Sequence, residues 1–475
     1  MPTILYVGEL LIQLVFMAVI VLRSARNQAA AVAWIIIVLV VPAVFGVIIY
    51  LLVGEVRLGR RRVRRHDEIV ARTKQVCREQ WLDARYPEIC ANYQPIATLA
   101  ESVGGTSPRG GNEVQLYGDT VQVIESLIAD IDAAQKHCHL LFYIFMGDDT
   151  GRRVAAALTR ASERGVECRL LLDAVGSASV LATPVVQDMR ESGVQVVEAL
   201  PANLLRAAFA RLDLRNHRKV AVIDGEIGYT GSQNISDAAF AVKPRYAPWI
   251  DAMIRIRGPA VRDLHEIFIE DWYLDSTEPL EHLLAIEPRS AEGGMPVQIM
   301  GTGPGANNDA LRQVLQASMQ LARDELVMTT PYFVPDPGTT DALCTAAARG
   351  VRTILIVPRR NDSALVSAAS RSYYEQLLDS GVEIYHYTKG LLHAKTITVN
   401  RDLALVSTAN LDRRSFELNF EVSSLVFDSD FASQLRFLQT SYMDDSERVD
   451  PKLWRKRPWH KKLIQNASGM LSPLL

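Results

Sequence analysis

Two eighteen-residue stretches carry the same set of chemically capable side chains. The first, HRKVAVIDGEIGYTGSQN (217–234), supplies His217, Lys219, Asp224, Ser232 and Asn234. The second, HAKTITVNRDLALVSTAN (393–410), supplies His393, Lys395, Asn400, Thr408 and Asn410 at the same spacings. Residues two apart on a strand share a face, so each His–Lys pair presents an imidazole and an ammonium together. Two such strands meeting across a pseudo-twofold axis would bring two imidazoles and two ammonium groups into one pocket. The hydroxyls of Ser232 and Thr408 and the amides of Asn234 and Asn410 would add neutral donors for phosphate oxygens. That set suits a doubly substituted phosphate: one imidazole attacks phosphorus, the other protonates the leaving oxygen, and lysine charge stabilises the transition state. No metal or other cofactor is required by it. A third H-x-K, His460–Lys462, is followed by neither a strand nor a hydroxyl-x-Asn block, so the tripeptide alone carries little information.

Asp224 and Asn400 complete the two catalytic motifs but stand five residues beyond the lysine. That odd spacing turns them to the opposite strand face, where a turn anchor is expected rather than a proton-transfer group. Asparagine keeps the shape of aspartate and loses its charge, so reduced stability or rate is expected from Asn400, not a dead site. Ser407 stands where the first copy has Gly231, a mild change unless φ is positive there.

These blocks need strands to hold them, and the chain reads twice through one α/β pattern. Strand-like HLLFYIF (139–145) and VECRLLLD (166–173) in the first copy match ELVMTTPYFVP (325–335) and VRTILIVP (351–358) in the second. Helical patterns of about a dozen residues lie between them, as alternating α/β layers require. Ahead of both copies lie two apolar runs, 4–22 and 31–53, the second without a charge. Runs of about 20 apolar residues are long enough to span a bilayer. Arg57, Arg60, Arg61, Arg62, Arg64 and Arg65 follow the second run. The positive-inside rule then places the N-terminus and the body in the cytoplasm, and the same arginines suit anionic head groups. The expected division is 1–56 as two transmembrane helices, 57–112 as a basic linker with helix, and 113–290 and 291–475 as the two α/β domains.

The formal net charge of −3 speaks against bulk nucleic-acid binding. The basic runs flank the body instead of lining it. Five cysteines without CxxC spacing argue against a disulfide framework or a structural zinc site. Near the C-terminus, WRKRPWHKKLIQ mixes Trp454 and Trp459 with basic residues. That composition suits an interfacial element, or an exposed terminal helix with ordinary packing tryptophans.

The duplicated H-x-K-x4-D, each followed by a G/S-x-N element, resembles the phospholipase D superfamily. YIF, PYFVP, GSQN…WID and STANLDRRSFELNFE make the chain most similar to bacterial cardiolipin synthases, over essentially its whole length. The resemblance implies two phospholipase D-like α/β sandwich domains related by pseudo-twofold symmetry, after two transmembrane helices in a bacterial inner membrane. It implies transfer of a phosphatidyl group from one phosphatidylglycerol to another, through a phosphatidyl-histidine, with release of glycerol. Anionic membrane lipids are the implied partners, without nucleic acid, and the oligomeric state is left open. His217 is then the nucleophile and His393 the general acid, then base. By position, Asp251 is expected to orient the histidine of the first half and Glu421 that of the second. Water or serine as acceptor, in a phospholipase D or a phosphatidylserine synthase, would use the same site. A nucleic-acid phosphodiesterase and a non-catalytic lipid binder are the competing classes.

Overall fold

The computed structural model describes residues 2–23, 28–50, 59–80, 87–201, 211, 213–239, 243–305 and 309–472. The chain divides into two compact units. One is Met1–Val63 with Ala202–Leu214, the other Arg64–Pro201 with Arg215–Leu475.

The larger unit is built on one continuous sheet that the two copies share. From its centre outward, the first half runs Arg109–Tyr117, Met253–Arg257, Ile227–Gly231, Lys219–Ile223, His137–Phe142, Glu167–Asp173 and Gln195–Ala199. The second half runs outward in the same sense through Met295–Thr302, Asn419–Val426, Leu403–Ser407, Thr396–Val399, Glu325–Thr329, Arg352–Pro358 and Glu383–Tyr387. Arg109–Tyr117 and Met295–Thr302 pair antiparallel and join the halves. In each half three strands run parallel and the motif strand is antiparallel to them; the second half adds the antiparallel edge strand Ser446–Arg448. The inner parallel strands His137–Phe142, Glu167–Asp173, Glu325–Thr329 and Arg352–Pro358 are buried nearly throughout because helices cover both faces. Helix Asp149–Glu163, for example, buries Val154, Ala157, Leu158 and Ala161 against the first half. Aspartates at 119, 148, 336 and 428 cap helix N-termini by accepting from backbone N–H groups.

Two expectations change here. The run 325–335 is not one strand: it divides into Glu325–Thr329 and Phe333–Val334, and Pro331 between them has no N–H to give a ladder. The stretch expected as a linker is built into the body. Tyr93, Ile96, Ala97 and Ala100 lie in the core of the second half, and the central strand already begins at Arg109.

The smaller unit holds helices Pro2–Arg23, Gln28–Val40 and Ala43–Ile49. Ile20, Trp34, Val38 and Tyr50 form its core, with the Trp34 and Tyr50 rings edge to face at 5.5 Å. The second apolar run is therefore not one helix. Pro42 lacks the N–H and breaks it, and residues 51–53 lie outside the described residues. Among the described residues, no helix is long and apolar enough to cross a membrane.

Candidate active site

Neither motif histidine sits in a main-sheet strand. His217 follows the short strand Arg215–Asn216 and precedes Lys219–Ile223; His393 follows Leu391–Leu392 and precedes Thr396–Val399. Each short strand pairs parallel with a segment of the other half: Arg215–Asn216 with Asn419–Phe420, and Leu391–Leu392 with Trp249–Ile250. The ladder ends on the histidines. His217 N donates to Phe420 O at 2.9 Å, and His393 N to Ile250 O at 2.7 Å. The next residue along each partner segment is a carboxylate, and it meets the histidine. His217 Nδ1 lies 2.9 Å from Glu421 Oε2, and His393 Nδ1 lies 2.6 Å from Asp251 Oδ1. The assignment by chain position is thus reversed. Asp251 serves the second-half histidine and Glu421 the first, because the pairings that position them run between the halves.

The hydroxyls expected to contact phosphate are already committed. Ser232 Oγ donates to Asp251 Oδ1 at 2.6 Å and accepts from Ala252 N at 2.9 Å. Thr408 Oγ1 does the same with Glu421 Oε2 at 2.5 Å and Val422 N at 2.9 Å. Both hydroxyls therefore hold the carboxylates that hold the histidines. Asn234 Oδ1 accepts from Ile144 N at 3.1 Å, whereas the buried Asn410 Oδ1 has no hydrogen-bond partner among the described residues. The lysines stay close to their own histidines: Lys219 Nζ donates to His217 O at 2.6 Å and Lys395 Nζ to His393 O at 2.7 Å. Lys395 Nζ also lies 2.8 Å from His393 Nε2, while His217 Nε2 has no comparable contact among the described residues.

Protonation follows from this packing. Burial drives both imidazoles down to about 4, against the pull of Glu421 on His217 and of Asp251 on His393. Burial would raise the two carboxyls, but their histidine and lysine neighbours outweigh it and hold both at about 2. At neutral pH the carboxylates are therefore ionised acceptors and the imidazoles neutral. Each Nδ1 must carry the proton, and each Nε2 presents a lone pair. Burial also lowers Lys219 to about 8 and Lys395 well below the usual lysine range. A phosphodiester placed between the two lysines would favour the charged form of both, because an opposite charge nearby raises the proton affinity of a cationic group.

Asp224 and Asn400 stand apart from this cluster, at the far ends of the motif strands. Asp224 accepts from the backbone N–H groups of Gln135, Lys136 and His137. Asn400 Oδ1 accepts from Arg323 N and Asp324 N, and its Nδ2 donates to Tyr93 Oη at 3.1 Å. Both sit in left-handed backbone, φ 54° and 51°, at the start of two-residue turns completed by Gly225 and Arg401. They tie a hairpin to the loop before the neighbouring strand and touch none of the imidazoles or lysines of the cluster. Gly231 has φ 148°, and a Cβ there would collide with the Ala252 carbonyl oxygen. Ser407 has no positive φ and bonds Ser423 Oγ at 2.8 Å.

Sequence reasoning passed over several residues. Tyr143 lies edge-on to His217 at 4.8 Å, with Lys219 Nζ 5.3 Å from its ring centroid. Trp249 packs on His393 at 4.6 Å. Arg218, inside the first motif, reaches the second half through Glu421 O and Thr302 O and pairs with Asp271 at 2.7 Å. The signal for Tyr143 was its place just past a parallel strand's C-terminal end; nothing in the sequence distinguished Arg218 from a surface charge. Among the described residues, His137, His139 and His265 form one group close enough to share a metal ion. It lies outside this site, with His139 Nδ1 on His265 Nε2 at 2.9 Å and the Arg169 guanidinium on His139 Nε2 at 3.2 Å. A cation there would lose both contacts and face a fixed positive charge, so the trio is a packing element.

The comparisons with known proteins agree with this arrangement. A family model described as "Cardiolipin synthase, PLD-like domain" matches residues 127–272 and 315–438. A second, "Phospholipase_D-nuclease N-terminal", matches residues 14–55. Cardiolipin synthase A of Edwardsiella ictaluri (strain 93-146) is 39% identical over 472 residues, covering 96% of this chain and 95% of that protein. Cardiolipin synthase A of Serratia proteamaculans (strain 568) is 37% identical over 470 residues, with the same coverage. The crystal structure of phosphatidylserine synthase from Haemophilus influenzae Rd KW20 superposes with a TM-score of 0.61 at 15% identity. It covers 80% of this chain and 100% of that one, a likeness of fold. Matched along both halves of the sheet and nearly end to end by its relatives, the chain belongs to the cardiolipin synthase family of phospholipase D-like phosphatidyltransferases.

Proposed function

We propose that this enzyme joins two phosphatidylglycerol molecules into cardiolipin and glycerol, with His217 as nucleophile and His393 as proton carrier. One observation carries the reading: two buried neutral imidazoles, each held through Nδ1 by an ionised carboxylate of the opposite half, with one lysine beside each. The neutral Nε2 of His217 attacks the phosphodiester phosphorus while the bond to the head-group glycerol breaks. The departing oxygen takes its proton from His393, which the arriving phosphate charge makes basic enough to carry one. The head-group hydroxyl of a second phosphatidylglycerol then loses its proton to His393 and attacks the phosphatidyl-histidine. The P–N bond breaks and His217 returns to its starting form. Lys219 and Lys395 hold the phosphoryl oxygens through both steps. The difference between the histidines supports the order: Lys395 already occupies the lone pair of His393, and nothing comparable among the described residues occupies that of His217.

The N-terminal unit supports membrane residence. Leu10, Leu11, Leu14, Val15, Leu22, Val40 and Phe45 are exposed apolar side chains on its helices. We place these in the bacterial inner membrane, as a multi-pass anchor, with the arginines of 57–65 and the catalytic body on the cytoplasmic side.

The test is purified protein with phosphatidylglycerol as the sole lipid. Cardiolipin and glycerol are expected in equal amounts; phosphatidic acid as main product would make it a hydrolase and sink the transferase reading. His217→Ala should yield no acid-labile phospho-enzyme, while His393→Ala should accumulate one.

A further inference from the structure

The helix Trp459–Met470 is built inside out. Its buried side is polar: Gln465 and Ser468 face the protein, Arg457 Nε donates to Gln465 Oε1 at 2.9 Å, and Tyr373 Oη donates to Ser472 Oγ at 3.0 Å. Gly469 lets it approach the helix Ala364–Ser372 so closely that a Cβ would collide with Ser372 Oγ. Its outer side is apolar. Trp459 is 75% exposed, Leu463 and Ile464 59% each, and Met470 82%. At 3.6 residues per turn these four, with Ala467 and Leu471, fall within an arc of roughly 140° centred opposite Gln465, which His460 shares as its one polar member. A helix packed on a soluble body shows the reverse pattern.

The edges of this face are basic. Lys461 and Lys462 border it, and Arg455 and Lys456 stand one turn ahead of Trp459. Lys462 and Arg457 also share Glu375, which fixes the helix end to the body. A tryptophan at one end, an aliphatic stripe and flanking lysines match a helix lying in the plane of an anionic bilayer surface. A second protein copy fits less well, since these few side chains fall short of the roughly 800 Å² per partner that a stable interface buries. The position is also informative. The supporting helix Ala364–Ser372 starts two residues after Asp362, which accepts from Tyr332 Oη at 2.6 Å and pairs with Lys243 of the first half at 2.6 Å. The supporting helix thus begins beside a contact between the two halves.

We propose that Trp459–Met470 is a second membrane contact, docking the catalytic body on anionic lipid so that its site opens onto the bilayer surface. The proposal rests on the phosphatidyl-transfer reading only for its effect on turnover. The full chain carrying Leu463→Glu and Ile464→Glu, reconstituted in phosphatidylglycerol vesicles, should lose about tenfold in cardiolipin formation, as expected for apolar area withheld from an interface. The same variant acting on a soluble short-chain phosphatidylglycerol should keep the parent rate, which shows that it folds. Leu463→Ser with Ile464→Ser gives an uncharged check in the same direction. Independently of turnover, the part of the tryptophan quenching by brominated phosphatidylglycerol that Trp459→Phe removes should be present in the parent and absent in both variants. Unchanged vesicle turnover and unchanged quenching would overturn the docking role, as would a change of oligomeric mass in detergent, which would make the face a subunit interface. Quenching without any cardiolipin formed in the parent would uphold the docking and refute the transferase reading.

Discussion

His393 takes its orienting carboxylate from 142 residues upstream: Asp251 Oδ1 lies 2.6 Å from its Nδ1, in the opposite half of the molecule. His217 in turn reaches Glu421, 204 residues downstream. Each half therefore supplies an imidazole to one side of the site and a carboxylate to the other. Neither half alone contains a complete His–carboxylate pair.

The crossing is measurable. Asp251 raises the proton affinity of His393, against burial and Lys395. Asp251→Asn should therefore lower the titration midpoint of His393, followed by imidazole NMR, and leave that of His217 in place. Loss of the orienting carboxylate should cost turnover on the order of 10³-fold or more, by analogy with serine hydrolase triads. A shift confined to His217 would restore the pairing by chain position.

The pH profile of kcat/KM should be bell-shaped. His217 must be neutral to attack, so activity falls as pH drops through about 4. Lys219 must be charged to hold phosphate, so a fall as pH rises through about 8 adds to the one set by loss of the proton that His393 must donate. A flat alkaline limb up to pH 10 would remove Lys219 as a charged contact.

Restoring the motif carboxylate should do little. Asn400→Asp keeps the acceptor for Arg323 N and Asp324 N and exchanges donation to Tyr93 for acceptance from it. Stability should change by about 1 kcal/mol or less and turnover by less than about threefold. A gain of several orders of magnitude would mean that Asn400 acts on the chemistry.

The two hydroxyl-x-Asn blocks should respond differently to the same exchange. Gly231→Ser puts a Cβ against Ala252 O at φ 148° and should lower stability by about 2 kcal/mol or more. Ser407→Gly, in ordinary backbone, loses the Ser423 contact and should cost about 1 kcal/mol. Equal losses in thermal unfolding would contradict the difference in backbone geometry.

Much was legible in one dimension because duplication is a one-dimensional signal. The paired spacings of His217–Asn234 and His393–Asn410 identified the site groups, and the odd offset of Asp224 and Asn400 correctly placed them away from the imidazoles. Strand boundaries moved where Pro331 interrupts the ladder. The stretch read as a linker turned out to carry Tyr93 and Ile96 into the second-half core, since burial depends on partners 200 or more residues away.

Residue type and spacing, then, determined which groups gather at the site, because the duplicated block sets the same side chains at the same intervals twice. Which carboxylate serves which histidine was decided in three dimensions. The short segments Arg215–Asn216 and Leu391–Leu392 pair across the halves, not within them. That register carries Glu421 and Asp251 to their partners and turns Ser232 and Thr408 from the substrate to the carboxylates. A chain pattern repeated twice cannot reveal such an exchange, because both pairings satisfy the same spacings.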